Sequence, residues 1–123
     1  QQLGSPDLLI TSAGIAEPGY FEKLPIDNFE RAMQINYLGT VYTIKSAIDS
    51  MIQAGKGRVV IISSGAAFTG IFGYTSYGAS KFALRGFAEA LRRSMMRLAA
   101  NDNYSHPIHW APFVVVGEGA VTR

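Results

Sequence analysis

Residues 58–91, RVVIISSGAAFTGIFGYTSYGASKFALRGFAEAL, contain the clearest secondary-structure signals of the sequence. Residues 58–63 are mostly β-branched and apolar, which predicts a buried β-strand. A glycine-rich loop follows at residues 65–73. From Ser76 the apolar side chains recur at helical spacing as far as about residue 100. This stretch therefore predicts a strand, a loop and a long helix in succession.

The flanking segments extend the same alternation in both directions. Residues 7–11 predict a strand that ends in the Ser12-Ala13-Gly14 turn, and residues 112–117 predict a last strand. Between the first two strands, one helix is predicted from Pro25 to the glycine turn at residues 55–57, with Asp27 and Glu30 as a capping box. Such alternation is typical of an α/β protein with a parallel sheet whose strands are apolar on both faces. In these sheets the site lies at the carboxyl ends of the strands.

Composition excludes several classes of function. A chain of 123 residues suits one domain, and its 48% hydrophobic and 16% charged residues indicate a globular protein. The net charge of +2 gives no case for nucleic acid. The absence of cysteine excludes disulfides and thiolate metal sites, and fits a cytoplasmic protein. No apolar run is long enough to span a membrane, and the N-terminus does not read as a signal peptide. Five basic residues predict a solvated helix face rather than a phosphate site: Lys81, Arg85, Arg92, Arg93 and Arg97.

Two polar side chains four residues apart on the second helix are candidates for chemistry. Tyr77 and Lys81 emerge from the same helix face. An ammonium group near a phenol favours the phenolate, which makes such a pair a plausible general acid/base unit. Tyrosine and lysine often occur at this spacing by chance, so the pair alone is weak evidence. Ser64, at the end of a strand 13 residues earlier, and Asn36, in a helix interior that disfavours asparagine, strengthen it.

Together these residues resemble the catalytic tetrad of the short-chain dehydrogenase/reductase family. The resemblance covers about residues 3–91 and, within the family, is strongest to the reductases that act on sphingoid-base ketones. The segments that carry it are Asp7 to Gly14, Ile35 to Gly39, Ile62 to Ser64 and Tyr77 to Ala83. Thr11 and Ser12 stand where the family has two asparagines.

The resemblance implies a function and a role for each residue. An NADP(H)-dependent oxidoreductase would interconvert a ketone, such as a sphingoid base, and an alcohol, with NAD(H) as the other cofactor choice. Tyr77 would protonate the carbonyl oxygen that Ser64 holds, Lys81 would bind the nicotinamide ribose, and Asn36 would position a water. The residues implied to contact the cofactor are Ala13, Gly14, Tyr77 and Lys81. The family also suggests a homodimer.

The glycine-rich turn with which the family cradles the cofactor pyrophosphate does not occur in this sequence. The predicted fold is therefore a partial Rossmann-like, doubly wound parallel sheet lacking the N-terminal dinucleotide-binding half. We expect the isolated chain to be inactive. The alternative function is a non-catalytic α/β remnant or hybrid protein that binds no cofactor.

The sequence after Leu91 departs from the family pattern, which predicts a domain boundary there. Residues 1–91 would be the catalytic half and residues 92–123 a divergent tail. About residues 90–119 resemble the C-terminal end of a CHAT domain, a caspase-like module, chiefly through the His-Pro-x-x-Trp-Ala-Pro-Phe run at residues 106–113. A second interpretation takes residues 119–122 as a degenerate reductase segment after the last strand. His106 and His109 lack further ligands, so no metal site is predicted.

Overall fold

The structure is a computed structural model that describes residues 4–99 and 113–116. These residues form three strands and three α-helices, with a π-helical turn between the first two helices. Their bounds are β1 Leu8–Thr11, α1 Ile26–Ala32, the π turn Met33–Leu38, α2 Gly39–Gln53, β2 Arg58–Ile62, α3 Thr75–Ala99 and β3 Phe113–Val116. Two short 3₁₀ turns lie at Phe21–Lys23 and Gly65–Ala67.

The strands form a parallel sheet in the order β1-β2-β3. Leu9 pairs with Val59 across the first strand pair, and Val60 pairs with Val114 across the second. Parallel neighbours require crossover connections, which α1 with α2, and then α3, supply. The predicted Rossmann-like parallel α/β fold is confirmed, and all three predicted strands are present.

Both long helices pack against one face of this sheet. Val59 and Ile61 of β2 are buried in a core with Ile44 of α2 and Leu84 of α3. On the other face of β1, Leu8 and Ile10 are 51% and 54% exposed, because no described element packs against them. The expectation of strands buried on both faces is therefore wrong for β1 within residues 4–99 and 113–116.

The start of the first helix differs from the predicted capping box. The helix begins at Ile26, with Pro25 as the N-cap residue, and no side chain caps it. Asp27 consequently lies in the first turn, two positions beyond the N-cap residue. A carboxylate there still complements the positive end of the helix dipole.

The predicted single helix contains a π turn that its 3.6-residue pattern did not indicate. The N–H of Gly39 donates to the carbonyl oxygen of Gln34, five residues earlier, instead of four. Such single wide turns occur frequently at functional sites. This one carries Asn36 and directs its side chain into the protein interior, where it is fully buried.

Replacing Gly57 with alanine is expected to lower the free energy of unfolding by about 1–3 kcal/mol. Gly57 has a φ of +142°, and an added Cβ would overlap the Met51 side chain. Urea unfolding followed by circular dichroism measures the loss. Gly86→Ala is the control, because a Cβ there meets nothing within 4 Å and alanine favours the helix. A Gly57 variant as stable as the parent chain would contradict this account.

Candidate active site

A small cavity lies at the carboxyl ends of β1 and β2, beside α3. Its volume is about 160 Å³. The loop after β1 forms one wall, the end of β2 the floor and α3 the opposite wall. The lining residues are Ser12, Gly14, Ile15, Ala16, Ile62, Ser63, Tyr77 and Lys81. This is the sheet edge at which the sequence predicted a site.

Lys81 and Tyr77 face this cavity together. The Lys81 ammonium is 5.6 Å from the centroid of the Tyr77 ring, and its Nζ donates to the carbonyl oxygen of Ile62 at 3.3 Å. The lysine is only 4% exposed, and lysines are almost never buried to this extent unless they have partners. The Tyr77 ring also packs edge-on against Tyr74, with centroids 5.9 Å apart. The structure thus brings the two predicted acid/base residues into one enclosed space.

Asn36 ties the loop after β1 to α3 rather than lining the cavity. Its Oδ1 accepts a hydrogen bond from Ile15 N at 2.7 Å, and its Nδ2 donates to Ile15 O at 3.0 Å. The same Nδ2 donates to Ser80 Oγ at 2.8 Å. All three bonds join the side chain to protein atoms. Asn36 therefore holds two walls of the cavity together.

Ser80 is a site residue that the sequence reasoning did not identify. Its fully buried hydroxyl accepts from Asn36 and donates to the Tyr77 carbonyl oxygen at 2.7 Å. Ser80 therefore connects Asn36 to the backbone of Tyr77. A serine three residues after Tyr77, on the same helix face, was the signal that could have revealed it.

Ser64 begins the turn that follows β2. It is 7% exposed, and its Oγ accepts a hydrogen bond from Ala66 N at 3.2 Å. The bond orients the hydroxyl while leaving its own proton available for donation. Among the described residues, the preceding residue, Ser63, lines the cavity and Ser64 does not.

The two residues predicted to approach the cofactor from the β1 loop lie in different places. Gly14 lines the cavity, and an added Cβ would be 3.2 Å from Asn36 Oδ1 and 3.6 Å from Lys81 Nζ. Ala13 instead lines a neighbouring surface depression beside Gln34. Glycine at position 14 therefore permits the close approach of Asn36 and Lys81 to this loop.

Where the family has asparagine, Thr11 links the two strands. Its side chain is buried, and Oγ1 donates to the Val60 carbonyl oxygen at 3.4 Å. This bond joins β1 to β2 just before the cavity. Thr11 therefore supplies a polar contact between the strands at this point.

The basic residues of α3 do not share one solvated face. Lys81 is buried in the cavity wall, whereas Arg92 and Arg93 are exposed. The guanidinium of Arg85 lies 4.5 Å over the Phe68 ring and pairs with Glu89 at 3.0 Å. The prediction of a solvated face is wrong for Lys81 and holds for Arg92 and Arg93.

Within residues 4–99 and 113–116, no group of three or more histidine, cysteine, aspartate or glutamate side chains could hold a metal ion. In the same part of the chain, no helix is long and apolar enough to cross a membrane. His106, His109 and residues 119–122 lie outside the described residues.

The parallel sheet, with a tyrosine and a buried lysine at its carboxyl edge, defines a Rossmann-like α/β protein with a candidate proton-transfer pair. The family model for short chain dehydrogenases matches residues 1–100. The chain therefore belongs to the short-chain dehydrogenase family.

Two curated relatives and one solved structure illustrate the similarity. The chain is 51% identical over 92 residues to 3-ketodihydrosphingosine reductase of Bos taurus, and the aligned segment covers 75% of this chain and 28% of the relative. It is 37% identical over 125 residues to short-chain dehydrogenase/reductase family 16C member 6 of Bos taurus, and this alignment covers 100% of this chain and 39% of the relative. Serine dehydrogenase from Escherichia coli superposes with a TM-score of 0.69 at 28% identity, over 72% of this chain and 42% of that one. The chain thus spans less than half the length of each of the three.

These alignments bear on the predicted boundary near Leu91. The family match continues to residue 100, and the relative 16C member 6 aligns along the whole chain. The comparisons do not show the predicted resemblance of residues 90–119 to a CHAT domain. Within that range, β3 pairs with β2 as the third strand of the sheet.

Proposed function

We propose that this chain carries the proton-transfer centre of an NADP(H)-dependent oxidoreductase that interconverts a ketone and a secondary alcohol. One observation carries the proposal: the buried Lys81 ammonium and the Tyr77 ring share a cavity at the carboxyl edge of the sheet. The cofactor, when bound, supplies or accepts the hydride. The residues of the chain orient the reactants and move the proton.

The cavity suits the nicotinamide end of such a cofactor. Its lining includes the hydroxyl-bearing residues Ser12, Ser63 and Tyr77 and the ammonium-bearing Lys81. A ribosyl nicotinamide presents hydroxyl and carboxamide groups, which pair with these donors and acceptors. Gly14 adds no side chain to the wall. This set fits NADP(H) and NAD(H) alike, and the choice of NADP(H) rests on family resemblance.

Three side chains divide the proton chemistry. The Tyr77 phenol donates its proton to the oxygen of the ketone as that oxygen gains negative charge, and accepts it back in the reverse reaction. Family resemblance assigns Ser64 to donate a hydrogen bond to the same oxygen, and the bond that its Oγ accepts from Ala66 N leaves its own proton available for this. The Lys81 ammonium places a positive charge 5.6 Å from the centroid of the ring whose hydroxyl exchanges the proton.

Asn36 acts in this proposal through its neighbours. Family resemblance predicts that it positions a water, but its amide is bonded to Ile15 and Ser80. We assign it to holding the β1 loop and the Tyr77 turn of α3 in register. It is a positioning residue rather than a catalytic one.

The substrate class follows from the relatives. Identity of 51% to a 3-ketodihydrosphingosine reductase supports a sphingoid-base ketone as the substrate. A chimera tests the proposal, with the matched 92-residue segment of this chain replacing its counterpart in the Bos taurus reductase. We expect it to oxidise NADPH when supplied with 3-ketodihydrosphingosine. A folded chimera without turnover, beside an active parent reductase, would refute the proposed function.

Replacing Lys81 with methionine is expected to lower both the cofactor affinity and the turnover of this chimera by at least about tenfold. The change removes the charge from the cavity but fills much of the same volume. The cost of removing an ammonium from water largely offsets the free energy of its contacts in the protein. We therefore expect the melting temperature of the variant not to fall. Steady-state kinetics and a thermal melt measure both effects. Unchanged kinetics in the variant would remove Lys81 from the mechanism.

The second candidate function is a non-catalytic α/β remnant or hybrid protein. This function requires no site for the cofactor pyrophosphate, and residues 1–123 contain no glycine-rich turn of the kind that binds it. NADPH fluorescence titrated against the 123-residue chain separates the two functions. Saturable binding supports the oxidoreductase, and no binding supports the remnant. The CHAT-like tail, the homodimer and the cytoplasmic location stay predictions.

A further inference from the structure

Ser63 has a buried hydroxyl that takes no part in the proton transfer described above. The residue is 2% exposed and lies between the end of β2 and Ser64. Within residues 4–99 and 113–116, its Oγ has no hydrogen-bond partner. The residue also lines the cavity that Tyr77 and Lys81 share.

An unpaired buried hydroxyl is unfavourable, because it loses its hydrogen bonds to water on folding. Buried polar groups in native proteins almost always have a partner, whether protein, water or ligand. The neighbouring Ser64 has its partner in Ala66 N. Ser63 lines the cavity, so a ligand bound there is a candidate for the missing partner.

We propose that Ser63 binds the nicotinamide riboside portion of the cofactor through this hydroxyl. The inference rests on the proposed function, since that function places the nicotinamide end in this cavity. Ser63 lies on the floor, between the loop wall at Ser12 and the helix wall at Lys81. A hydroxyl can donate and accept, so it pairs with a ribose hydroxyl or with the carboxamide of the nicotinamide.

This role has an unusual energetic signature. Most buried hydroxyls stabilise the fold through a hydrogen bond, so their removal lowers the melting temperature. Ser63→Ala removes an unpaired group instead, and we expect the melting temperature to stay the same or rise. The bond to the ligand is lost, and we expect the affinity for the ligand to fall about five- to tenfold.

Reduced nicotinamide mononucleotide is the probe for the test. It lacks the pyrophosphate-linked adenosine half of the cofactor, so it tests the 123-residue chain directly. Fluorescence titration measures its dissociation constant for the parent chain, Ser63→Ala and Ser5→Ala, and a thermal melt is recorded for each. Ser5→Ala is the matched control, because Ser5 Oγ is also buried and unpaired but Ser5 does not line this cavity.

We expect weaker binding in Ser63→Ala alone, with no fall in melting temperature. Equal binding by the parent chain and Ser63→Ala would overturn the inference and leave the proposed function standing. A melting temperature lowered by several degrees in Ser63→Ala would also overturn it, by showing that the hydroxyl is paired within the fold. If the parent chain fails to bind the mononucleotide, the cofactor role of the cavity and the Ser63 contact are both refuted.

Discussion

Tyr77→Phe is expected to lower the turnover of the chimera by about 10²- to 10⁴-fold, the usual contribution of a positioned general acid or base. Phenylalanine keeps the ring and its edge-on packing against Tyr74, so the change removes only the hydroxyl that transfers the proton. Cofactor affinity should change far less than turnover. NADPH oxidation under saturating substrate, with a fluorescence titration of NADPH, measures the two effects separately.

Tyr74→Phe is the matched control for this experiment. It removes the same atom three residues earlier, from the ring that contacts Tyr77. Tyr74 does not line the cavity, so its variant should keep turnover within about twofold of the parent. Turnover of Tyr77→Phe within tenfold of the parent, or an equal loss in both variants, would remove Tyr77 as the proton donor.

The fold was largely predictable because its strands and helices have strong local signals. The β-branched run before Ser63 predicted β2 to within one residue, and the apolar spacing after Ser76 predicted α3 equally well. The π turn was missed because the apolar pattern of one wide turn differs too little from that of an α-helix. The exposed face of β1 was missed because burial depends on what packs there, which the strand's own sequence does not encode.

The site was predictable where its residues are close in sequence or form a motif. Tyr77 and Lys81 share a helix face, and spacing alone placed them together. The contact from Asn36 to Ser80 joins residues 44 positions apart, so no local pattern indicated it. The unpaired hydroxyl of Ser63 was missed for another reason. The family motif gives the catalytic role to the neighbouring Ser64, and sequence alone does not show which hydroxyl lacks a partner.

Asn36→Ala is expected to lower the free energy of unfolding by about 3 kcal/mol, the largest stability effect predicted for this chain. The substitution removes three hydrogen bonds and leaves the N–H and carbonyl of Ile15 without those partners in a partly buried position. Because Ile15 lines the cavity, the same variant should also bind reduced nicotinamide mononucleotide more weakly. Urea unfolding followed by circular dichroism measures the stability, and fluorescence measures the binding.

Asn28→Ala separates the loss of these bonds from the general effect of replacing an asparagine in a helix. Asn28 lies in α1, and within residues 4–99 and 113–116 its side chain makes no hydrogen bond, so we expect a change within about 0.5 kcal/mol. A loss below 1 kcal/mol for Asn36→Ala would mean that the β1 loop keeps its position without the amide. The π turn would then have no role in holding the two walls of the cavity together.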